Sequence, residues 1–319
     1  MNAIARVLLA RIVPGMRMQT FADFQAKDWP QQFPDEPDPG IDVQWAVYYD
    51  RAYRGMEHLL TDPMVVVEGA EAFVSELIAI SMLEVIFDPG WVTKTFPLAD
   101  DREPADGDRW ILPAHQRREL ARRVFEFQSY SWFPDFVKYT KENEVSSALF
   151  EADVIQTLMR MPGGVTRVTE TGVKGQDFDA LMNLGPAGRV PIEVKYKEDA
   201  TPYSPETVRN TVRKAIQQYP KGETGWLFIH MPTTWIGRGL GEAYHEVLDD
   251  ALRQTSRVGA VFTAVDKPVI DVTAGKIRHR RVWDFYLHPR APERLREPSL
   301  LMAQLLDKEM DAFAPRAPF

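Results

Sequence analysis

A chain of 319 residues, 45% hydrophobic and 26% charged, has the composition of an ordinary globular protein, with enough apolar mass for one large domain or two smaller ones. It has no cysteine, which excludes disulfides and thiolate zinc sites and suits a reducing, cytoplasmic setting. A formal charge of −8 excludes a uniformly basic surface that grips nucleic acid everywhere, and leaves room for a local basic track only.

The first stretch, MNAIARVLLARIVPG, is interrupted by Arg6 and Arg11 and lacks a small-residue cleavage site, so it does not read as a signal peptide. Residues 20–40 hold too many prolines and aromatics for a regular element. Helical spacing runs over 44–60 and 68–87; in the second, Phe73, Leu77 and Ile80 form one face and Val74, Ile78 and Val85 another. Glu68, Glu71, Glu76 and Glu84 break the apolar run of 64–87, which excludes a membrane span there. An acidic loop over 97–108 precedes a helix expected over 113–130, opened by Pro113.

From about residue 140 the pattern changes. A helix over 142–161, with Ala148, Ala152, Ile155 and Met159 on one face, ends at Pro162 and Gly163. Strands follow over 165–172, 177–184 and 189–197, the last two joined by a tight GPAG turn. A helix over 205–219 leads to the apolar strand GWLFIHM (225–231); a helix over 241–255 leads to strands over 258–272 and 276–288. The order αβββαβ, then αββ, describes an α/β sandwich around a mixed sheet. A tail helix is expected over 298–313. The domain reading is a helical accessory region over 1–135, an α/β domain over 136–290 and a helical tail over 291–319.

The hairpin GQDFDALMNLGPAGRVPIEVKYK carries an unusual polar face. Residues two apart on a strand share a face, so Asp177 pairs with Asp179, and Glu193 with Lys195. A short hairpin brings Asp179 and Glu193 onto neighbouring strands about 5 Å apart. Glu151 sits among the apolar positions of its helix and so points at the sheet. Three acids and one lysine leave a net charge of about −2, unfavourable unless the acids protonate or bind a cation. Oxygen-only ligands select a hard divalent ion, Mg²⁺ or Mn²⁺. A lysine beside such an ion suits attack of water on a phosphodiester.

Glu151, GQDFDAL and PIEVK together resemble the PD-(D/E)XK nuclease superfamily, the restriction-endonuclease-like fold, whose core is also αβββαβ. The resemblance covers roughly residues 140–235. It implies Asp179 and Glu193 as metal ligands, joined by the Val194 carbonyl and the helix acid Glu151, with Lys195 as the catalytic lysine. Asp177 then tunes the charge, and Gln217 and Gln218, beside Tyr219, loosely match a glutamine near a tyrosine on the next helix. No proline precedes the first aspartate, a departure from the usual pattern. Arg209, Arg213 and Lys214 could line a substrate groove. The run RHRR (278–281) reads either as solvated strand surface or as phosphate contact through Arg280 and Arg281. GRGLGE (237–242) lacks dinucleotide-loop spacing, and the six histidines show no ligand spacing.

The expectation is thus a Mg²⁺-dependent endonuclease acting on DNA, with a defence or toxin nuclease as one setting. The alternative is a catalytically silent nuclease-fold protein that binds nucleic acid or a protein. No membrane partner is expected; a homodimer or protein partner would use the N-terminal helical region.

Overall fold

A computed structural model describes residues 79–80, 82–96, 108–168, 172–173, 175–198, 200–235, 242–271 and 276–312, with backbone alone for 108–115, 242, 267–271, 276–280 and 308–312. The irregular stretch of 20–40, the helix of 44–60 and nearly all of the 97–108 and 237–242 loops lie outside these residues. The chain divides into two compact units, Met1–Val145 with Pro315–Phe319, and Ser146–Ala314.

In the first unit, a helical run ends at Phe87. Its buried side chains are Ala79, Met82, Leu83 and Phe87, while Ile80 and Val85 are half-buried. Of the two expected faces only Ile80 and Val85 are described here; Phe73, Val74, Leu77 and Ile78 lie outside the described residues. Asp88 then caps α1 (Pro89–Thr95), its carboxylate accepting from the Trp91 amide at 2.8 Å. Next come α2 (Asp108–Phe127) and α3 (Phe133–Glu142). Pro113 stands inside α2 rather than at its start. Phe127 packs edge-on against Trp132 and Phe136, with centroids 5.0 and 5.5 Å away.

The second unit is α/β. Helix α4 (Val145–Leu158) is followed by β1 (Gly164–Arg167), β2 (Ala180–Asn183) and β3 (Arg189–Tyr196). Then come α5 (Pro205–Gln218), β4 (Gly225–Met231), α6 (Glu242–Leu252), β5 (Val258–Asp271), β6 (Lys276–Leu287) and α7 (Glu293–Ala312). The strands form one six-stranded mixed sheet in the order β1-β2-β3-β4-β5-β6. Pairing is parallel for β3 with β4 and β4 with β5, and antiparallel elsewhere.

Seven consecutive buried residues make β4 the sheet's centre, as an apolar run in parallel pairing requires. One sheet face, with Leu227, Ile229, Met231, Val261 and Val265, packs with Val208, Val212 and Ala215 of α5 and Leu248 of α6. Ser204 starts α5 by accepting from the Thr207 amide, with Pro205 at the first helical position. On the opposite face, Phe150 of α4 meets His230 and Trp283. Helix α7 begins five residues before the expected start, so Pro298 lies inside it. Leu295, in that extra turn, is wholly buried. Among the described residues no helix is long and apolar enough to cross a membrane.

Candidate active site

Strand β3 presents Glu193 and Lys195 on the face shared with the α5–α6 core, across from Leu227 and Ile229 of β4. Ala180 of β2 stands opposite Ile192, so Asp179, one residue before the strand, lies beside Glu193. Its backbone amide donates to the Ile192 carbonyl at 3.0 Å. Its carboxylate accepts from the Val194 amide at 2.6 Å. The two acids and the lysine are thus gathered by strand register alone.

Glu193 is 0% exposed, and neither carboxylate oxygen has a hydrogen-bond donor in good geometry. Oε1 lies against the Lys195 ammonium as an ion pair, while Oε2 faces no donor. Burial, then the charge of Asp179, pushes the Glu193 carboxyl up to about 9 against the pull of Lys195. Burial alone would lower the Lys195 ammonium; Asp179, Glu193 and Glu151 outweigh it and hold it above the ordinary lysine value.

Glu151 reaches this neighbourhood from α4, but its carboxylate is engaged. Arg167 of β1 donates to it at 2.7 Å, and both side chains are buried. The sequence reading missed Arg167, because a strand arginine 16 residues away carries no local signal of its partner. It makes the cluster one charge less negative than the four-residue count.

Asp177 is not on the strand. A turn at Gly175 (φ 85) precedes it, and its carboxylate accepts from the Gly172 amide at 3.1 Å. The expected sharing of one strand face by Asp177 and Asp179 is therefore corrected. Val194, expected to offer its carbonyl, supplies its amide to Asp179. Gln217 is exposed and Gln218 half-buried. Tyr219 is wholly buried and donates to the Trp226 carbonyl at 2.7 Å. Burial, then Glu193 and Asp179, raises its hydroxyl well above the usual tyrosine value. Gly225 allows this packing: a Cβ there would meet the Pro191 carbonyl at 2.4 Å and the Tyr219 ring at 2.6 Å.

Lys197 follows Lys195 at the end of β3. Burial, then Lys214 and Lys195, lowers its ammonium below the ordinary value. Lys195, Lys197 and Lys214 therefore lie close enough to feel one another, and of these Lys195 and Lys214 were expected. Arg209 bonds Asp250 at 2.9 Å and lies 3.7 Å from Glu206; Arg213 approaches Glu206 at 3.9 Å. Arg281 is not on a solvated surface: it bonds Asp266 at 2.7 and 3.0 Å and Asp153 at 2.6 Å. Two carboxylates already match its charge, which takes it out of the phosphate-contact set. Arg280 pairs in register with Lys267 on β5.

Among the described residues no group of three or more His, Cys, Asp and Glu side chains is gathered closely enough to hold a metal ion. Asp179 and Glu193 still form an oxygen donor pair, and Glu193 Oε2, which no donor meets, suits a hard cation. No family model, curated protein or solved structure matches the chain.

Proposed function

We propose that this protein is a metal-dependent phosphodiesterase of the PD-(D/E)XK type, a DNA endonuclease in a restriction-endonuclease-like fold. One observation carries the reading: Glu193 is a wholly buried carboxylate set between Asp179 and Lys195, paired with the Lys195 ammonium through Oε1 and left without a donor at Oε2. A fold tolerates such a group at a cost of several kcal/mol, and strongly perturbed carboxylates cluster where chemistry is done. The helix acid, the three strands and the following helix and strand also stand in the order the resemblance implies.

Asp179 and Glu193 would hold Mg²⁺ or Mn²⁺, with a main-chain carbonyl of β3. When bound, the ion supplies Lewis-acid stabilisation of the charge developing on the phosphodiester oxygens. Lys195 orients the attacking water by donating from its ammonium and offsets charge at the phosphate. Lys197 and Lys214 attract the polyanion. Arg167 holds Glu151 in place behind the acid pair.

Nicking of supercoiled plasmid with Mg²⁺ or Mn²⁺, abolished by EDTA and by Glu193→Gln, is the expected result. Absence of cleavage with every divalent ion would sink the reading. A second reading, a nuclease-fold protein that binds DNA without cutting, is favoured by the Glu151–Arg167 pair, which occupies the third acid. It expects metal-independent DNA binding and no nicking.

A further inference from the structure

Strands β5 and β6 outrun the sheet. The β4–β5 ladder ends at Met231 with Val265, whereas β5 and β6 continue from Asp266 with Arg281 to Asp271 with Lys276. At about 3.4 Å per residue, those six rungs make a two-stranded ribbon roughly 17–20 Å long. Its root is clamped: Arg281 grips Asp266 through two nitrogens and Asp153 of α4 through a third, and His230 Nε2 lies 3.1 Å from Asp266. Phe150 lies beneath the guanidinium, 5.3 Å from its ring centroid. The root is therefore a fixed point from which the ribbon leaves the sheet.

The five rungs beyond the root carry Lys267, Lys276, Arg278 and Arg280 against a single aspartate, Asp271, in a chain of formal charge −8. The register puts all four cations on one face. Lys267 pairs with Arg280, Val269 with Arg278 and Asp271 with Lys276, while the alternate rungs, Pro268 with His279 and Ile270 with Ile277, take the other face. Val265, two residues before Lys267, belongs to the core cluster of Leu227 and Ile229, which stand across from Glu193 and Lys195. The cationic face thus continues the sheet face that bears the candidate site. Lys195 aligns through Ile229 with Thr263. The first cationic rung is then four residues further along and two strands over, about 17 Å away by strand spacing.

We infer that this ribbon is an arm that binds duplex DNA, holding its phosphates and entering its major groove while the site acts on a phosphodiester nearby. The inference rests on the nuclease reading. The major groove of B-DNA, about 12 Å wide, admits a two-stranded ribbon, whereas the deep, narrow major groove of A-form RNA does not. Four cations on one face of a ribbon match a phosphate track better than they match any apolar partner.

The test uses the full chain in EDTA and measures anisotropy of labelled duplex DNA and duplex RNA of one sequence across a salt series. Alongside it, nicking is scored with Mn²⁺. Combined Lys267→Ser, Lys276→Ser, Arg278→Ser and Arg280→Ser should flatten the slope of log affinity against log salt for duplex DNA by about 3. The melting temperature should hold, because these rungs lie beyond the sheet. Exchanging each lysine for arginine and each arginine for lysine should keep the slope. If the fourfold variant fails to fold, Arg278→Ser with Arg280→Ser alone should still flatten it by about 2. A wild type that nicks DNA while the variants keep its slope overturns the ribbon and leaves the nuclease reading standing. Ribbon-dependent DNA binding without nicking under any divalent ion does the reverse. Equal, equally ribbon-dependent binding of duplex RNA, or no binding to either duplex, overturns the inference.

Discussion

The sheet buries two ionic clusters, one on each face, and they are built on opposite principles. Around Arg281 each carboxylate has a charged donor: Asp266 two guanidinium nitrogens, Asp153 a third. Burial would raise the Asp266 carboxyl, yet Arg281 and His230 outweigh it and hold it well below the usual range. Around Glu193 burial and Asp179 win, and the carboxyl is driven upward. The first cluster is satisfied within the protein. In the second, Lys195 pairs with one Glu193 oxygen and the other meets no donor.

That contrast is broken or sharpened most strongly by exchanging partners. Asp179→Asn and Glu193→Gln should each lower metal-dependent nicking by roughly 10³-fold, read on plasmid at fixed Mn²⁺, with the fold retained. Arg281→Met should act in the other sense. It takes the guanidinium away from Asp153 and Asp266 and should cost about 3 kcal/mol in urea melts, while the folded fraction keeps its activity. Equal loss of stability in both sets of variants would erase the distinction.

Metal linkage comes next in size. Mn²⁺ at a hundred times its dissociation constant should stabilise the wild type by about 2.7 kcal/mol in thermal melts and leave Asp179→Asn unchanged. Indifference of the wild type to Mn²⁺, Mg²⁺ and Ca²⁺ alike would favour the non-cutting reading.

The pH response should separate the clusters by sign. Glu193 has its folded value raised from 4.5 to about 9, so the metal-free folded state binds more protons than the unfolded chain between those limits. Its stabilising share is present below pH 4.5 and is lost as pH rises toward 9, by up to about 1.4 kcal/mol per unit. Glu193→Gln should flatten that slope in denaturant melts. Asp266, with a depressed folded value, contributes above its unfolded value of 3.8 and loses that share only as pH falls below it. Smallest of all, Arg209→Ala removes a half-exposed pair with Asp250 and should change stability by about 0.5 kcal/mol or less.

Local chemistry announced much of this molecule. The apolar run of β4, the Ser204–Pro205 start of α5 and the alternation of PIEVK each specify their element through neighbours in sequence. The gathering of Asp179, Glu193 and Lys195 was legible too, because a hairpin register fixes side-chain facing within a few residues. Prolines misled twice: Pro113 and Pro298 resemble helix starts, yet both lie inside their helices. Gly175 turns the chain before Asp177, so alternation read back past the start of β2 places that residue wrongly.

What the sequence by itself determined about this protein is its α/β order, its central strands and the three charged side chains of one hairpin. Only the tertiary structure decided which charges are answered. Arg167 finds Glu151 from 16 residues away, and Arg281 finds Asp153 from 128 residues away. Such pairings depend on how α4 is laid over the sheet, and no local propensity encodes that. The same holds for Glu193, since desolvation is a property of everything packed around a carboxylate and not of the residues beside it in the chain.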